Sequence, residues 1–341
     1  MTTPEARPPA EDGVSGVSIR DVARLAGVSH QTVSRVLNDH PSVRPATRER
    51  VRTVIAELGY TPSRAARSLS MRRSGVIGIL ATSSAEYGPA SCIQAIETAA
   101  RSHGYTVSVA DTGGIGPTEV RSSLDHLLSQ QIEALAVIAP HGEALTAVET
   151  LPRALPRVML QAPGHGTHPG LAVDQAAGVG LAVAHLLELG HTSIAHIAGP
   201  SDWLDATARA AAFGAALDAA GLAPAAILEG DWSAGSGYRI GLELAARRHI
   251  TAVFSSNDQM ALGLLHALHE GGVRVPDDIS VVGFDDIPEA AHFWPPLTTV
   301  RQDFAELGRR CVDRLLGLDA DGPSVPIAPL LIPRRSTAPL P

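Results

Sequence analysis

Residues 27–38, with the sequence GVSHQTVSRVLN, combine a helical apolar spacing with a face of hydrogen-bonding side chains. Val33, Val36 and Leu37 keep an i, i+3, i+4 spacing, which predicts a short helix with one buried side. The other side carries neutral donors and acceptors and a single guanidinium: His30, Gln31, Thr32, Ser34, Arg35 and Asn38. Gln and Arg make bidentate hydrogen bonds to adenine and guanine in the major groove, whereas charge alone binds every DNA sequence alike.

The elements around this face fit a DNA-reading role. Residues 18–21 (SIRD) predict a capping box that starts a first helix, and Gly27 ends that helix. Ser29 caps the second helix, and a third is expected from Thr47 to Leu58. Two helices joined by a glycine turn form a helix-turn-helix, whose second helix enters the major groove. The alternative that spacing leaves open is a solvated helix face in a small structural bundle.

The charge is unevenly distributed along the chain. Residues 17–74 hold eleven Arg against four acidic residues, a net charge of +7, so the rest of the chain carries −15 of the total of −8. A small basic module attached to a large acidic body is typical of a nucleic-acid binder whose second part has another task. A basic surface without a partner is the competing interpretation.

From Gly75 onward, strand-like runs alternate with helical ones, which predicts parallel α/β sheets covered on both faces. The stretch from Gly75 to Pro341 is long for one such sheet, so we expect two lobes with a cleft between them. The predicted strands are VIGIL (76–80), YTVSVA (105–110), ALAVIA (134–139), RVML (157–160), SIAHIAG (193–199), TAVFSS (251–256) and ISVVGF (279–284).

The run IRDVARLAGVSHQTVSRVLN resembles the headpiece of the lactose repressor family (LacI/GalR type), and GDWSAGSGY, NDQMALG, DISVVGFDD and PPLTTVRQDF continue the likeness. The resemblance implies an all-α helix-turn-helix headpiece and a two-lobed α/β core like type I periplasmic sugar-binding proteins. The implied divisions are a disordered tail (1–16), headpiece (17–61), hinge (62–74) and core (75–338), with lobe 1 at about 75–173 and 304–325 and lobe 2 at about 174–303 and 326–338.

The resemblance also implies which residues bind. Leu69 would be the hinge residue wedged into the minor groove, a role open to an apolar side chain that unstacks a base step. The implied DNA contacts are Ser29, His30, Gln31, Thr32, Ser34, Arg35, Asn38 and Leu69.

Eight core residues fall on positions that line the family's effector pocket. Planar Arg, amide and carboxylate groups pair with adjacent sugar hydroxyls, and an indole packs on the C–H face of a pyranose. Gln161 stands where the family's type member has an Asp, and Val173 stands for a Phe, so the hydroxyls bound will differ. The implied effector contacts are Pro89, Gln161, Arg209, Trp232, Asn257, Asp285, Gln302 and Phe304.

Other signals bound the function. Cys92 and Cys311 are far apart in sequence, as expected in a reducing cytosol. Neither a secretory signal nor a membrane span is predicted, so we expect a cytoplasmic, nucleoid-associated protein. The chain ends without the apolar heptads of the family's tetramerising helix, so a homodimer is expected. His266 and His269 lack a third metal ligand, and we expect neither a metal nor another cofactor.

These observations predict a transcriptional regulator, most simply a repressor, which binds palindromic operator DNA and is controlled by a small sugar, for instance a galactoside. A purine is the rival effector, because Arg209 and Asp285 also suit a flat heterocycle. A transport-type sugar-binding protein would explain the core but not the headpiece. An enzyme is not expected, since the sequence has no nucleophile arrangement such as G-x-S-x-G.

Overall fold

The computed structural model describes residues 17–37, 39–60, 74–113, 116–139, 155–160, 170–319 and 325–340. Contacts divide the chain into two compact units, Met1–Ser74 and Gly75–Pro341. The expected N-terminal tail, Asn38, Leu69, Gln161 and nearly all of the expected hinge lie outside the described residues.

The described residues of the first unit form three helices. The capping box predicted at the start of the first is present, because the Asp21 main-chain N–H donates to the Ser18 hydroxyl and the Ser18 N–H donates back to the Asp21 carboxylate. Gly27 ends this helix in the left-handed region at φ 64°, where a side chain would be strained. The helices are α1 (Ile19–Ala26), α2 (His30–Leu37) and α3 (Pro45–Leu58).

The three helices share a small apolar core. Val22 of α1, Val33 of α2 and Val51 of α3 are fully buried within one cluster. α3 begins two residues before the predicted Thr47, because Pro45, with its fixed φ, occupies the first turn, where a missing N–H costs nothing. α2 therefore buries its apolar side, as the spacing predicted, and leaves its polar face outside the core.

The second unit begins with a four-stranded, fully parallel sheet whose strand order is β2-β1-β3-β4. β3 is buried along its whole length and β1 along nearly all of it, which explains their unbroken apolar sequences. The elements of this part are β1 (Val76–Ala81), α4 (Tyr87–Ser102), β2 (Thr106–Asp111), α5 (Pro117–Ser129), β3 (Ala134–Ile138) and β4 (Arg157–Leu160).

A second sheet has six strands in the order β10-β9-β8-β7-β5-β6, parallel except for the antiparallel pair formed by β9 and β10. Two sheets agree with the expected two-lobed α/β core. The elements are α6 (Gln175–Glu188), β5 (Ile194–Ala198), α7 (Leu204–Ala219), β6 (Ala226–Glu229), α8 (Ala234–Ala245), β7 (Ala252–Ser255), α9 (Asp258–Glu270), β8 (Ser280–Asp285), β9 (Thr298–Arg301), α10 (Phe304–Leu315) and β10 (Leu330–Ile332).

The chain returns to the first sheet through α10, which packs on α4. Leu307 and Cys311 of α10 join Ile96 of α4 in the apolar cluster beside β1 and β3. Gly308 makes this close approach possible, because a Cβ there would lie 2.5 Å from the main-chain carbon of Ala95. The short segment between β9 and α10 therefore connects the two lobes.

Candidate DNA-recognition helix and ligand pocket

The polar face of α2 is accessible within the first unit. His30, Gln31 and Arg35 are exposed, and Thr32 and Ser34 are partly exposed. Ser29 acts first as the helix cap: its hydroxyl accepts the Thr32 main-chain N–H at 3.2 Å and lies 3.0 Å from the Thr32 hydroxyl. The exposed amide and guanidinium of Gln31 and Arg35 are therefore the side chains of this face best placed to reach base edges.

Two arginines of α3 hold the turn that follows α2. Arg48 and Arg52 each donate to the Asp39 carboxylate at 2.8 Å, and Arg48 also donates to the His40 carbonyl at 2.8 Å. Asp39 has φ 49°, a conformation that Asp tolerates better than most residues. These ion pairs hold the turn after α2 against α3.

In the second unit a pocket lies between the carboxyl ends of the two sheets. Ile138 and Leu160 end β3 and β4 on one side, and Asn257, Asp285 and Gln302 end or follow β7, β8 and β9 on the other. Open α/β sheets place ligands at this edge, because the loops after the strands converge there. Seven of the eight residues expected to bind the effector line it: Pro89, Arg209, Trp232, Asn257, Asp285, Gln302 and Phe304.

A closed ring of buried polar groups forms one wall of the pocket. Arg209 donates through Nε to Gln175 Oε1 at 2.8 Å, and Gln175 donates to Gln302 Oε1 at 3.0 Å. Gln302 then donates to Asp285 Oδ1 at 2.7 Å, and the Arg209 Nη2 lies 3.9 Å from that oxygen. Arg209 also donates to the main-chain carbonyl of Ser256. Each side chain fixes the orientation of the next, so the ring presents preorganised donors and acceptors.

Asp285 occupies an unfavourable position for a carboxylate. Burial raises its pKa to about 6, although the Arg209 charge and the Gln302 hydrogen bond oppose that rise. Its backbone has φ 109°, outside the regions that residues with a side chain prefer. Backbone strain and a raised pKa at one pocket residue are characteristic of functional sites.

Trp232 forms an aromatic wall next to this ring. The indole is 7% exposed, and its ring centroid lies 5.7 Å from the Arg209 guanidinium carbon. It packs against Gly199 so closely that a Cβ on that glycine would come within 2.2 Å of the ring. Among the described residues the buried indole N–H has no hydrogen-bond acceptor. A buried donor without a protein acceptor is available to a ligand oxygen.

Asn257 holds this aromatic wall in place. Its amide oxygen accepts the Met260 N–H at 2.9 Å and so caps α9, while its amide nitrogen donates to the Trp232 carbonyl at 2.9 Å. Trp232 has φ 70°, and this bond stabilises that conformation. Only the second amide N–H of Asn257 is left to bind a ligand directly, so Asn257 contributes to the pocket mainly by holding Trp232 in place.

Sequence reasoning missed several pocket residues. Tyr87 lines the pocket, packs edge-on against Phe304 at 6.0 Å between ring centroids, and touches the apolar cluster of the second lobe. Glu86, Trp203 and Gln175 also line it. Glu86 and Trp203 immediately precede helices, where apolar periodicity carries no information. Gln175 is recognisable only through its partner Gln302, which lies 127 positions later.

Within the described ranges, no helix is long and apolar enough to cross a membrane. No group of three or more His, Cys, Asp or Glu side chains is arranged to hold a metal ion there.

Two family models match the chain. Residues 18–63 match the model described as bacterial regulatory proteins, lacI family, and residues 183–337 match the periplasmic binding protein-like domain. The first match spans α1 to α3, and the second contains most of the six-stranded lobe together with α10.

Curated relatives share this arrangement over most of their length. The lactose operon repressor of Escherichia coli K12 is 38% identical over 304 residues, 89% of this chain and 84% of that protein. The repressor PurR of Erwinia tasmaniensis is 36% identical over 94% of this chain and 97% of its own length. The ribose operon repressor of Escherichia coli K12 is 34% identical over 88% and 92%, respectively. All three are named as repressors.

Solved structures agree with these relatives. A lac repressor dimer bound to operator and the anti-inducer ONPF has a TM-score of 0.85 and 37% identity, covering 95% of this chain and all of that one. A complex of the transcriptional regulator CelR with cellobiose has a TM-score of 0.65 and 30% identity, covering 94% of this chain and 99% of that one. The chain therefore belongs to the lacI family of bacterial regulatory proteins, DNA-binding transcriptional repressors with a periplasmic-binding-protein-like core.

Proposed function

We propose that this repressor binds a palindromic operator as a homodimer and that a small sugar in the pocket between the two sheets controls its affinity for DNA. Gln31 and Arg35 of α2 read bases, while the surrounding hydroxyls and arginines contact phosphates. Asn38 and the hinge residue Leu69 complete the proposed DNA contacts. The ligand acts through its different affinities for the DNA-competent and DNA-incompetent arrangements of the core.

The observation that carries the sugar assignment is the ring of Arg209, Gln175, Gln302 and Asp285 beside the Trp232 indole. A pyranose offers a C–H face to an indole and a set of hydroxyls to charged planar groups. Asp285 Oδ2 has no hydrogen-bond donor among the described residues, so it is available to accept from a ligand hydroxyl. Gln161 is proposed to line the same pocket.

The names of the relatives support both candidate effectors. The lactose and ribose operon repressors and the cellobiose complex point to sugars, and the PurR repressors point to a purine. The arrangement of polar groups favours the sugar, because the available Asp285 Oδ2 needs a hydrogen-bond donor and a sugar offers several hydroxyl groups. A purine stays the second candidate because Trp232 would also stack on a flat heterocycle.

The dimer proposal has support in the first unit and at the surface of the second. Helix-turn-helix proteins read palindromes by placing two recognition helices one DNA turn apart. The lac repressor structure at a TM-score of 0.85 is a dimer on its operator. In this chain Trp294 is 89% exposed, an unusual position for so large an apolar side chain.

Calorimetric titration against a sugar panel and a purine panel tests the effector class. We expect at least one sugar to bind, and Trp232→Ala and Asp285→Ala to weaken that binding while leaving operator affinity unchanged in a gel-shift assay. Loss of the Asp285 acceptor is expected to cost about 1–3 kcal/mol of binding free energy. Purine binding that persists in Trp232→Ala, with no sugar bound, would replace the sugar assignment.

A further inference from the structure

The aromatic wall of the pocket continues beyond the buried polar ring. The Trp203 indole meets the Trp232 indole edge-on, with centroids 5.3 Å apart and planes inclined by 64°. Trp203 lines the same pocket but is only partly buried, whereas Trp232 is nearly fully buried. The two rings therefore form a continuous apolar surface from the buried Arg209 side of the pocket towards solvent.

A carboxylate from the other lobe lines the same pocket. Glu86 is the residue before α4, lines the pocket and is partly buried, yet its side chain makes no capping hydrogen bond to the helix. Within the described ranges no hydrogen-bond donor serves its carboxylate. Burial raises the pKa of Glu86, and the negative charge of Asp231 adds to the rise. Asp231, by contrast, accepts the Ser233 main-chain N–H at 3.0 Å.

A half-buried carboxylate without a donor is costly unless something donates to it. The buried indole N–H of Trp232, in the other lobe, likewise has no acceptor among the described residues. An indole face and a carboxylate acceptor on opposite walls suit a ring with an apolar face and hydroxyl groups at its rim.

We propose that Trp203 and Glu86 form a second sugar subsite beside the Trp232 subsite, so that the effector is a disaccharide or a longer glycoside. This inference rests on the proposed sugar effector. Trp203 packs against the C–H face of the second ring, and Glu86 accepts a hydrogen bond from one of its hydroxyls. The negative charge of Glu86 also makes the pocket unfavourable for a phosphorylated sugar, because like charges repel at short range.

The test is calorimetric titration of the full-length protein with lactose, cellobiose and maltose, with galactose and glucose alone, and with nitrophenyl glycosides and purines. We expect the wild type to bind one disaccharide about tenfold or more tighter than its component monosaccharides, a difference of about 1.4 kcal/mol. Trp203→Leu keeps an apolar side chain and should remove that preference without changing monosaccharide affinity. Trp203→Phe should restore most of it. Glu86→Gln should weaken disaccharide binding alone.

Tyr238→Leu, a change of an aromatic residue on α8 that does not line the pocket, serves as the matched control and should leave every affinity unchanged. Equal loss of monosaccharide and disaccharide binding in Trp203→Leu would show that Trp203 only supports Trp232, and would overturn the subsite. A monosaccharide that binds tightest would do the same while keeping the sugar effector. Trp203-dependent binding of nitrophenyl glycosides but of no disaccharide would assign the subsite to an aromatic aglycone instead. Binding of purines alone would overturn both proposals.

Discussion

The side-chain amide of Asn257 donates to the main-chain carbonyl of Trp232 at 2.9 Å, and this bond couples the cap of α9 to the aromatic wall of the pocket. The same side chain accepts the Met260 N–H, so one residue starts a helix and orients the indole that lines the pocket. Helix stability and ligand affinity therefore share a residue but depend on different atoms of it.

Substituting Asn257 separates these two roles. Asn257→Ser should keep the cap, because Ser and Asn are comparable at this position, whereas Asn257→Ala should lose about 1 kcal/mol more of the free energy of unfolding. Both variants lose the donor to Trp232 and should bind effector more weakly. Urea denaturation and calorimetric titration measure the two effects. Wild-type effector affinity in Asn257→Ser would show that the bond does not position the indole.

Asp285 is expected to reduce stability at neutral pH. Its folded-state pKa is raised from 3.8 to about 6, so the folded protein binds more protons than the unfolded chain between those values and loses stability as the pH rises through them. Asp285→Asn should therefore be more stable than the wild type above pH 6, by up to about 3 kcal/mol. The difference should shrink towards pH 4.

Thermal melts of both proteins at pH 7.5, 6 and 4.5 check this expectation, and the same variant should fail to bind effector. A variant that is less stable than the wild type at pH 7.5 would mean that the interaction of the carboxylate with Arg209 stabilises the fold by more than burial of the carboxylate destabilises it.

The sequence predicted much of this molecule, and its failures have physical causes. The apolar spacing around Val33 placed α2 and its polar face, and unbroken apolar runs located seven strands. β6, β9 and β10 were missed because they are short and lack an unbroken apolar, buried run: exposed positions alternate along β6, β9 starts with two threonines, and no residue of β10 is fully buried. The order of strands in the sheets depends on contacts far apart in the chain, such as Val282 beside Thr298, and cannot be read from one segment.

The pocket residues likewise include some that the sequence predicted and others that it missed. Residues inside recognisable motifs, such as Asn257 and Asp285, were found through the resemblance to a family. Glu86 and Trp203 were missed because they precede helices in loops without a pattern, and their side chains line one pocket only when the two lobes fold. The bond between Asn257 and Trp232 also needed three-dimensional geometry, since 25 positions separate them.

His196 should make the second unit sensitive to acid. The ring is fully buried between Phe213 and Phe254, with centroids 4.8 and 4.9 Å away, and burial lowers its pKa to about 4. The unfolded chain then binds more protons between pH 6.5 and 4, so this contribution is fully present above pH 6.5 and is lost as the pH falls. It amounts to about 3 kcal/mol at most.

Urea denaturation between pH 7.5 and 4.5 measures this effect. His196→Gln should show a shallower loss of stability on acidification than the wild type, whereas the exposed His292→Gln should follow the wild type. Identical slopes for His196→Gln and the wild type would assign the acid sensitivity to other groups.

Base reading by α2 is tested with Arg35→Ala and Gln31→Ala. Each should cost about 1–3 kcal/mol of discrimination at particular base pairs, because a bidentate contact is lost. Arg50→Ala, an exposed arginine of α3, is the matched control and should not alter sequence preference. Binding to an operator library at two salt concentrations distinguishes these results. A uniform loss on all sequences with Arg35→Ala would assign that residue to phosphate contact.

Trp294 is expected to lie in the dimer interface. The side chain is 89% exposed, while its neighbour Phe293 is buried at 8% exposure, so the chain anchors one aromatic ring and presents the next to solvent. Covering an exposed indole is favourable because each Å² of apolar surface removed from water contributes about 25 cal/mol, and Trp is enriched among interface hot spots.

Trp294→Ser should therefore raise the dimer dissociation constant tenfold or more and leave effector affinity per subunit unchanged. Sedimentation equilibrium over a range of protein concentrations measures the first quantity, and calorimetric titration measures the second. Leu318→Ser, an exposed leucine beyond α10, is the control and should not change assembly. An unchanged dimer in Trp294→Ser would place the subunit interface on another face.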